Sequence, residues 1–213
     1  MSPLSGTLDA VGIIKSDLAI SVDGFVAGVD QTLETPIGLH ADGTPAEQLL
    51  HRWMFEAEAE NQPEVDAIVD AGAFIMGRNM FGPDRGDWDL EWRGWWGEDP
   101  PYHGPVFVLG HRPRPSIEMQ GGTTFHFVTD GVEAAVTRAR AAAGDRDISV
   151  AGGASTVNQV LAAGLLDELR LHISPLTLGA GERLFDGVPP LTLEQVSSRQ
   201  TSLVTHVTYR VVR

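Results

Sequence analysis

The 213-residue sequence has no cysteine, which removes disulfides, thiolate metal sites and cysteine nucleophiles together and fits an expected cytoplasmic location. It is also short of positive charge: 15 Lys and Arg stand against 29 Asp and Glu, for a formal net charge of −14. Nucleic acids and anionic membranes are held by clustered Lys and Arg, so neither is expected as a partner, and only a local basic pocket is left room. No apolar run approaches the roughly 20 residues of a membrane-spanning helix. The opening stretch MSPLSGTLDAVG lacks the basic-then-apolar pattern of a secretory signal. Seven histidines are present, but none with His-x-x-x-His or His-Glu-x-x-His spacing, so no metal site is expected. The serine-nucleophile motif Gly-x-Ser-x-Gly, the Rossmann Gly-x-Gly-x-x-Gly and the P-loop are missing too.

What is present is a folding composition, 42% hydrophobic and 21% charged, enough for one well-filled core. A strand over 17–21 (DLAIS) closes at the turn pair Asp23-Gly24 and continues over 25–27. Residues 28–43 read as a loop. Thr44, Pro45 and Glu47 form a helix-start signal, after which Leu49, Leu50, Trp53, Met54 and Ala57 share one helical face. A short helix over 64–70 leads to a strand over 73–76. Residues 82–104 show no period and hold four of the five tryptophans, Trp88, Trp92, Trp95 and Trp96. Strands follow over 105–109 and 123–128. A helix capped by Asp130, with Glu133 in its first turn, ends near Gly144, and then come a strand over 148–151 and a helix over 155–163. Residues 168–173 alternate as a strand with one wet face, and 191–198 with 203–212 make a closing antiparallel pair. Strand–helix alternation with an antiparallel tail predicts a single α/β domain over 1–213, a mixed, mainly parallel sheet flanked by helices, with 1–15 as a flexible N-terminus.

Three strands end alike: at Gly77-Arg78, at Gly110-His111-Arg112, and at Gly152-Gly153-Ala154-Ser155-Thr156. In parallel α/β sheets, ligands bind beyond the carboxyl ends of strands. Glycine there lets a ligand reach the backbone, and the following helix offers unpaired amides and a positive dipole end. The Gly-Gly step suits a pyrophosphate, and Arg78 and Arg112 suit a further phosphate. Together they match a 2′-phosphorylated dinucleotide. Each feature alone also reads as an ordinary turn or a solvated charge. For the reacting end, Asp23 is either a group at the mouth of the site or a turn aspartate bonding its own backbone. Glu168 either orients substrate or is an exposed strand residue. Trp53 and Phe55, with Phe25, offer a wall for a flat substrate, or core packing. The tryptophans of 88–96 read as a lid rim or as a dimer contact, and a homodimer is expected.

The segments AISVDGFVAG, FIMGRNMFG, PVFVLGHRPR and VAGGASTVNQVLAAGLLDELRLHISPLTLGAGERLF resemble the dihydrofolate reductase-like family. Within it they are similar to the reductase half of bifunctional riboflavin-biosynthesis proteins, across roughly residues 17–186. The resemblance implies a mixed, mainly parallel sheet and NADPH as cofactor. It implies that Gly152, Gly153, Ala154, Ser155 and Thr156 face the pyrophosphate, that Gly77 and Arg78 open a helix abutting the cofactor, and that Arg112, beside Gly110, lies near the 2′-phosphate. The turn 21–24 would sit near nicotinamide and substrate, and Glu168 matches a family carboxylate. The family's first-strand lysine is replaced here by Asp17, the deaminase half is absent, and the helical carboxylate of dihydrofolate reductases has Glu47, Glu56 and Glu58 as candidates. The implied activity is NADPH-dependent hydride transfer to a small conjugated substrate, pterin-, folate- or pyrimidine-like. Two other readings stay open: a non-catalytic dimeric nucleotide-binding module or sensor, and a reductase using a deazaflavin.

Overall fold

A computed structural model describes residues 12–82 and 86–213. Most of the expected N-terminal tail, residues 1–11, lies outside the described residues, and its last two positions, Ile14 and Lys15, already belong to the first strand. In chain order the elements are β1 (Ile14–Ser21), β2 (Phe25–Ala27), α1 (Ala46–Leu50), α2 (Arg52–Phe55), α3 (Glu58–Val69), β3 (Ala73–Gly77), α4 (Arg78–Phe81), β4 (Pro105–Leu109), β5 (Ile117–Glu118) and β6 (Thr124–Val128). There follow α5 (Val132–Ala143), β7 (Ile148–Gly152), α6 (Ala154–Ala162), β8 (Glu168–Ser174), β9 (Glu182–Arg183), β10 (Thr192–Gln200) and β11 (Thr205–Val212).

The nine-stranded sheet runs β10-β11-β8-β1-β7-β3-β4-β6-β5. Its centre, from β8 through β6, is parallel throughout, and the flanking β11, β10 and β5 are antiparallel. This is the mixed, mainly parallel α/β sheet that strand–helix alternation predicts. A separate ribbon pairs β2 with β9.

Alternation along each strand divides the faces. Ile14, Leu18 and Ile20 of β1, Ala73 and Ile75 of β3, Ile148 and Val150 of β7, and Leu169 and Leu171 of β8 share one core cluster with α5 and α6. Phe74 and Met76 of β3 turn the other way and join Phe81, Val106, Val108 and Phe125 in a second cluster. On that second side Lys15, Asp17, Arg170, His172, Ser174 and His206 are roofed by the short helices: Ser174 Oγ donates to Leu50 O at 2.9 Å and Lys15 Nζ to Ala67 O at 3.1 Å. The face of 168–173 expected to be wet is thus covered at His172 and half-buried at Glu168 and Arg170.

Three helix boundaries differ from expectation. Thr44 makes no cap bond, and Pro45 occupies the position before α1. α3 starts at Glu58 and carries Pro63 inside it, where a fixed φ near −65° is helical and costs one backbone bond. Gly131, at φ 92°, takes the capping position of α5, while Asp130 bonds Arg138 at 2.5 Å.

Candidate functional site at the carboxyl ends of the central strands

β3, β4 and β7 end level with one another: Met76 pairs with Gly152 and with Val108, and Gly77 with Leu109. Gly152 has φ 126°, a conformation that favours glycine, and the peptide bond joining it to Gly153 is cis. Gly153 then starts α6, with its carbonyl accepting from Thr156 N at 3.0 Å and Val157 N at 3.2 Å. A Cβ placed on Gly153 would meet nothing within 4 Å. Bare backbone therefore faces open space where the first amides of α6, those of Ala154 and Ser155, have no intrahelical acceptor. Ser155 is exposed, whereas Thr156 is buried. The Thr156 Oγ1 lies 2.5 Å from where a Cβ of Gly77 would stand, so that pair locks α6 against β3. Beside α6 an open cavity of about 420 Å³ is lined by Ala154, Ser155, Asn158, Gln159, Glu182 and Arg183, among others. Asn158 braces it by donating to Arg183 O at 3.0 Å and accepting from Phe185 N at 2.8 Å.

Arg78, Gly110 and Arg112 come together one strand further on, and Trp88 is what joins them. The Arg78 guanidinium lies 3.9 Å above the Trp88 ring centre, Trp88 Nε1 donates to Arg112 O at 3.0 Å, and a Cβ on Gly110 would stand 3.7 Å from the ring. Arg112 is ion-paired with Asp87. Trp88, Trp92 and Trp96 pack on Phe81 and Phe125, so the tryptophan-rich segment walls the second core cluster.

The residues expected at the reacting end separate. Asp23, just past β1, accepts from Ser21 Oγ at 2.6 Å, Leu178 N at 3.0 Å and Gly179 N at 2.7 Å. Burial pushes its carboxyl upward, and the bonds from Ser21, Gly179 and Leu178 outweigh that and hold it below the usual carboxylate range. Phe25 is half-buried, with the Arg183 guanidinium 5.0 Å from its ring. Trp53 is 1% exposed and presents no wall; Phe55 points to solvent. Glu168 opens β8 opposite Lys15, at the amino end of the parallel strands, bonded to Arg170 at 2.7 Å. It is not brought to the glycine-rich end. Glu47, Glu56 and Glu58 are exposed. The carboxylate buried beneath the helices is Asp17, 3.7 Å from His172 Nε2 and 3.8 Å from Arg170 Nη1. His172 in turn contacts His206 at 2.8 Å. The histidine spacing, without His-x-x-x-His or His-Glu-x-x-His, does not point to this contact. The available signal was a second strand, 203–212, that sets a histidine on the same face. Among the described residues, no group of three or more His, Cys, Asp or Glu is arranged to hold a metal, and no helix is long and apolar enough to cross a membrane.

Comparison with known proteins identifies the fold and the family. The chain is 35% identical to the protein YyaP of Bacillus subtilis (strain 168) over 201 residues, 87% of each chain. A solved structure from Shewanella sp. PV-4, named for riboflavin biosynthesis, superposes with a TM-score of 0.66 at 21% identity, covering 94% of this chain and 99% of that one. Dihydrofolate reductase from Enterococcus faecalis, complexed with NADP(H) and RAB-propyl, gives a TM-score of 0.57 at 14% identity, covering 95% and 98%. The fold is therefore dihydrofolate reductase-like. The family model described as the RibD C-terminal domain matches residues 13–207, and the chain belongs to that family.

Proposed function

We propose that the protein is an NADPH-dependent reductase that passes a hydride to a small, flat, conjugated substrate of the pterin, folate or pyrimidine kind. The observation that carries this reading is the open backbone at Gly153, at the start of α6 and level with the ends of β3 and β4. A pyrophosphate needs unpaired amides without side chains in the way, and this strand end has both. The residues also fit the rest of the cofactor. Arg78 and Arg112, past the ends of the next two strands, β3 and β4, offer guanidinium groups to a 2′-phosphate. When bound, NADPH supplies the hydride; the chain's own part is to hold and orient it and to keep water out.

Arg112 must exchange Asp87 for phosphate. Both side chains are more than half exposed, and an exposed ion pair is worth about 0–1 kcal/mol. A charge-assisted bond to phosphate, about 1.5–3 kcal/mol, exceeds that, so the exchange favours the cofactor. Asp23, held ionised by its three donors, serves to pin the 175–180 loop against β1 and is poorly suited to releasing a proton. The family membership and the NADP(H) held by the E. faecalis enzyme support the same reading.

Calorimetric titration tests it. NADPH is expected to bind more tightly than NADH, and Arg112→Ala to weaken NADPH by roughly 10- to 150-fold while leaving NADH unchanged. Failure of the protein to bind NADPH overturns the reading; equal losses for both cofactors remove the 2′-phosphate role of Arg112.

A further inference from the structure

Beneath α1–α3, both carboxylate oxygens of Asp17, Nε2 of His172, Nδ1 of His51 and Nε1 of Trp53 are buried without a hydrogen-bond partner. Native interiors rarely leave such groups unmatched, so the wiring around them is informative. It can be followed proton by proton. Asn61 Nδ2 donates to Trp53 O at 3.1 Å and to Ala57 O at 2.7 Å. With both amide hydrogens committed, Asn61 Oδ1 is an acceptor. His206 Nε2, 2.8 Å from that oxygen, must carry a hydrogen. The carboxylate nearest His206, Glu64, is committed to Arg199 and burial disfavours a charge on the ring, so its other nitrogen, Nδ1, is bare and accepts. His172 Nδ1, 2.8 Å away, is therefore the donor. That leaves His172 Nε2 facing Asp17 Oδ1 at 3.7 Å. If His172 were neutral, a lone pair would confront a carboxylate, both buried.

The charges point the same way. Arg170 reaches to 3.8 Å from Asp17, but its Nε and Nη2 are spent on Glu168 at 2.7 and 2.6 Å. Glu64, 4.0 Å from His206, is paired with Arg199. Lys15, on the same face of β1, turns to Ala67 O. Burial and His172 hold His51 near 4, hence neutral. Asp17, Arg170 and Glu168 together thus carry one surplus negative charge; the Lys15 ammonium offsets it from a distance, and among the described residues His172, 3.7 Å from Asp17 Oδ1, is the nearest basic group with no other carboxylate to serve.

We propose that Asp17 and His172 hold a proton between them, His172 standing as an imidazolium on β8 against the Asp17 carboxylate on β1. His172 is level with Ala19 of β1, and β1 adjoins β7, so two strand spacings, about 10 Å, separate it from the strand that carries the Gly152-Gly153 step. On the reductase reading, on which this role rests, reduction of a C=N bond places the hydride on carbon and requires one proton on nitrogen. Because the pair is buried, it would supply that proton once α1–α3 part from β8 to admit substrate, would be left as neutral imidazole beside carboxylate, and would be recharged from solvent, with bound NADPH as the source of the hydride.

Imidazole ¹H–¹⁵N correlation spectra of the full chain at pH 7 test the shared proton, with His172→Gln assigning the signals. Both nitrogens of His172 are expected to be protonated in the wild type. In Asp17→Asn the Nε2 proton is expected to be lost, since the new amide can donate to a neutral ring. A bare Nε2 in the wild type overturns the proposal without any variant. A proton retained in Asp17→Asn assigns it to His172 alone and overturns the sharing. In the same samples, NADPH is expected to bind Asp17→Asn as it binds wild type, and turnover of 7,8-dihydrofolate or 7,8-dihydropterin to fall on the order of 100-fold, most at high pH. Turnover unchanged across pH overturns the acid role. Absence of NADPH binding, or of turnover with both probes, withdraws the acid role together with the reductase reading and leaves the spectroscopic result standing.

Discussion

Asp23 shows how a residue of the expected site can earn its place by geometry alone. Its carboxylate accepts the amides of Leu178 and Gly179 and the Ser21 hydroxyl, so Asp23→Ala strips the acceptor from two amides at once. The expected cost is about 1–3 kcal/mol, read as a lower urea midpoint at unchanged slope. The pH dependence has a definite sign. Because the native carboxyl titrates below the unfolded one, its contribution is complete above the unfolded value of about 3.9 and is lost as pH falls through the native one. The gap between wild type and Asp23→Ala is therefore expected to be constant from neutral pH downward and to close only in strong acid. Arg112 and Asp87 give a second residue-scale expectation. Asp87→Asn removes the competitor from Arg112, so NADPH affinity is expected to rise, by at most about fivefold given what an exposed pair is worth, opposite in direction to Arg112→Ala. The turn role of Asp23 was legible in the Asp-Gly pair. The proton wiring of His172 was not, since it depends on Asn61 and His206, 111 and 34 positions away in sequence.

Two glycines that look alike in sequence belong to different jobs at the scale of elements. Gly77→Ala places a methyl 2.5 Å from Thr156 Oγ1, in the seam between β3 and α6. Overpacking of that kind costs about 1–3 kcal/mol, and the variant is expected to lose stability. A methyl on Gly153 meets open space, so Gly153→Ala is expected to keep the wild-type melting temperature and to weaken NADPH binding, the methyl standing where the pyrophosphate must approach. A melting scan and a titration on the two variants separate these outcomes; equal NADPH affinity in Gly153→Ala would remove that glycine from the cradle. The strand ends themselves were readable, because an apolar run halting at Gly-Gly before a helical pattern has a local physical cause. The place of Glu168 along its strand is also settled at this scale. Alternation fixed which face it shares with Arg170 and His172, but only the parallel pairing of β8 with β1 reveals that it lies at the amino end of the sheet. The helix expected over 64–70 likewise starts earlier, at Glu58, with Pro63 accommodated inside it.

The described molecule is built on one nine-stranded sheet with two different coverings on one side. α1–α3 roof the polar face of β1, β8 and β11, and α4 with the tryptophan-rich segment walls β3, β4 and β6. β3 ties these regions to the opposite face, sending Ala73 and Ile75 into one core cluster and Phe74 and Met76 into the other. Such shared strands give neither half an independent core, which predicts a single cooperative transition. The tryptophans report both regions: Trp53 lies 4.7 Å from His172 under the roof, and Trp96 lies 5.9 Å from Phe125 in the wall. With fluorotryptophan incorporated, the native ¹⁹F resonances of Trp53 and Trp96 are expected to vanish at the same urea concentration. Phe74→Ala should sharpen the test. Phe74 is fully buried in the second cluster, and its truncation costs about 3–5 kcal/mol. Because stability is held in common, the midpoint of Trp53 is expected to fall as far as that of Trp96, although Trp53 lies outside that cluster. A Trp53 signal that persists after Trp96 has unfolded would show that the roofed half folds by itself and that β3 does not join the two.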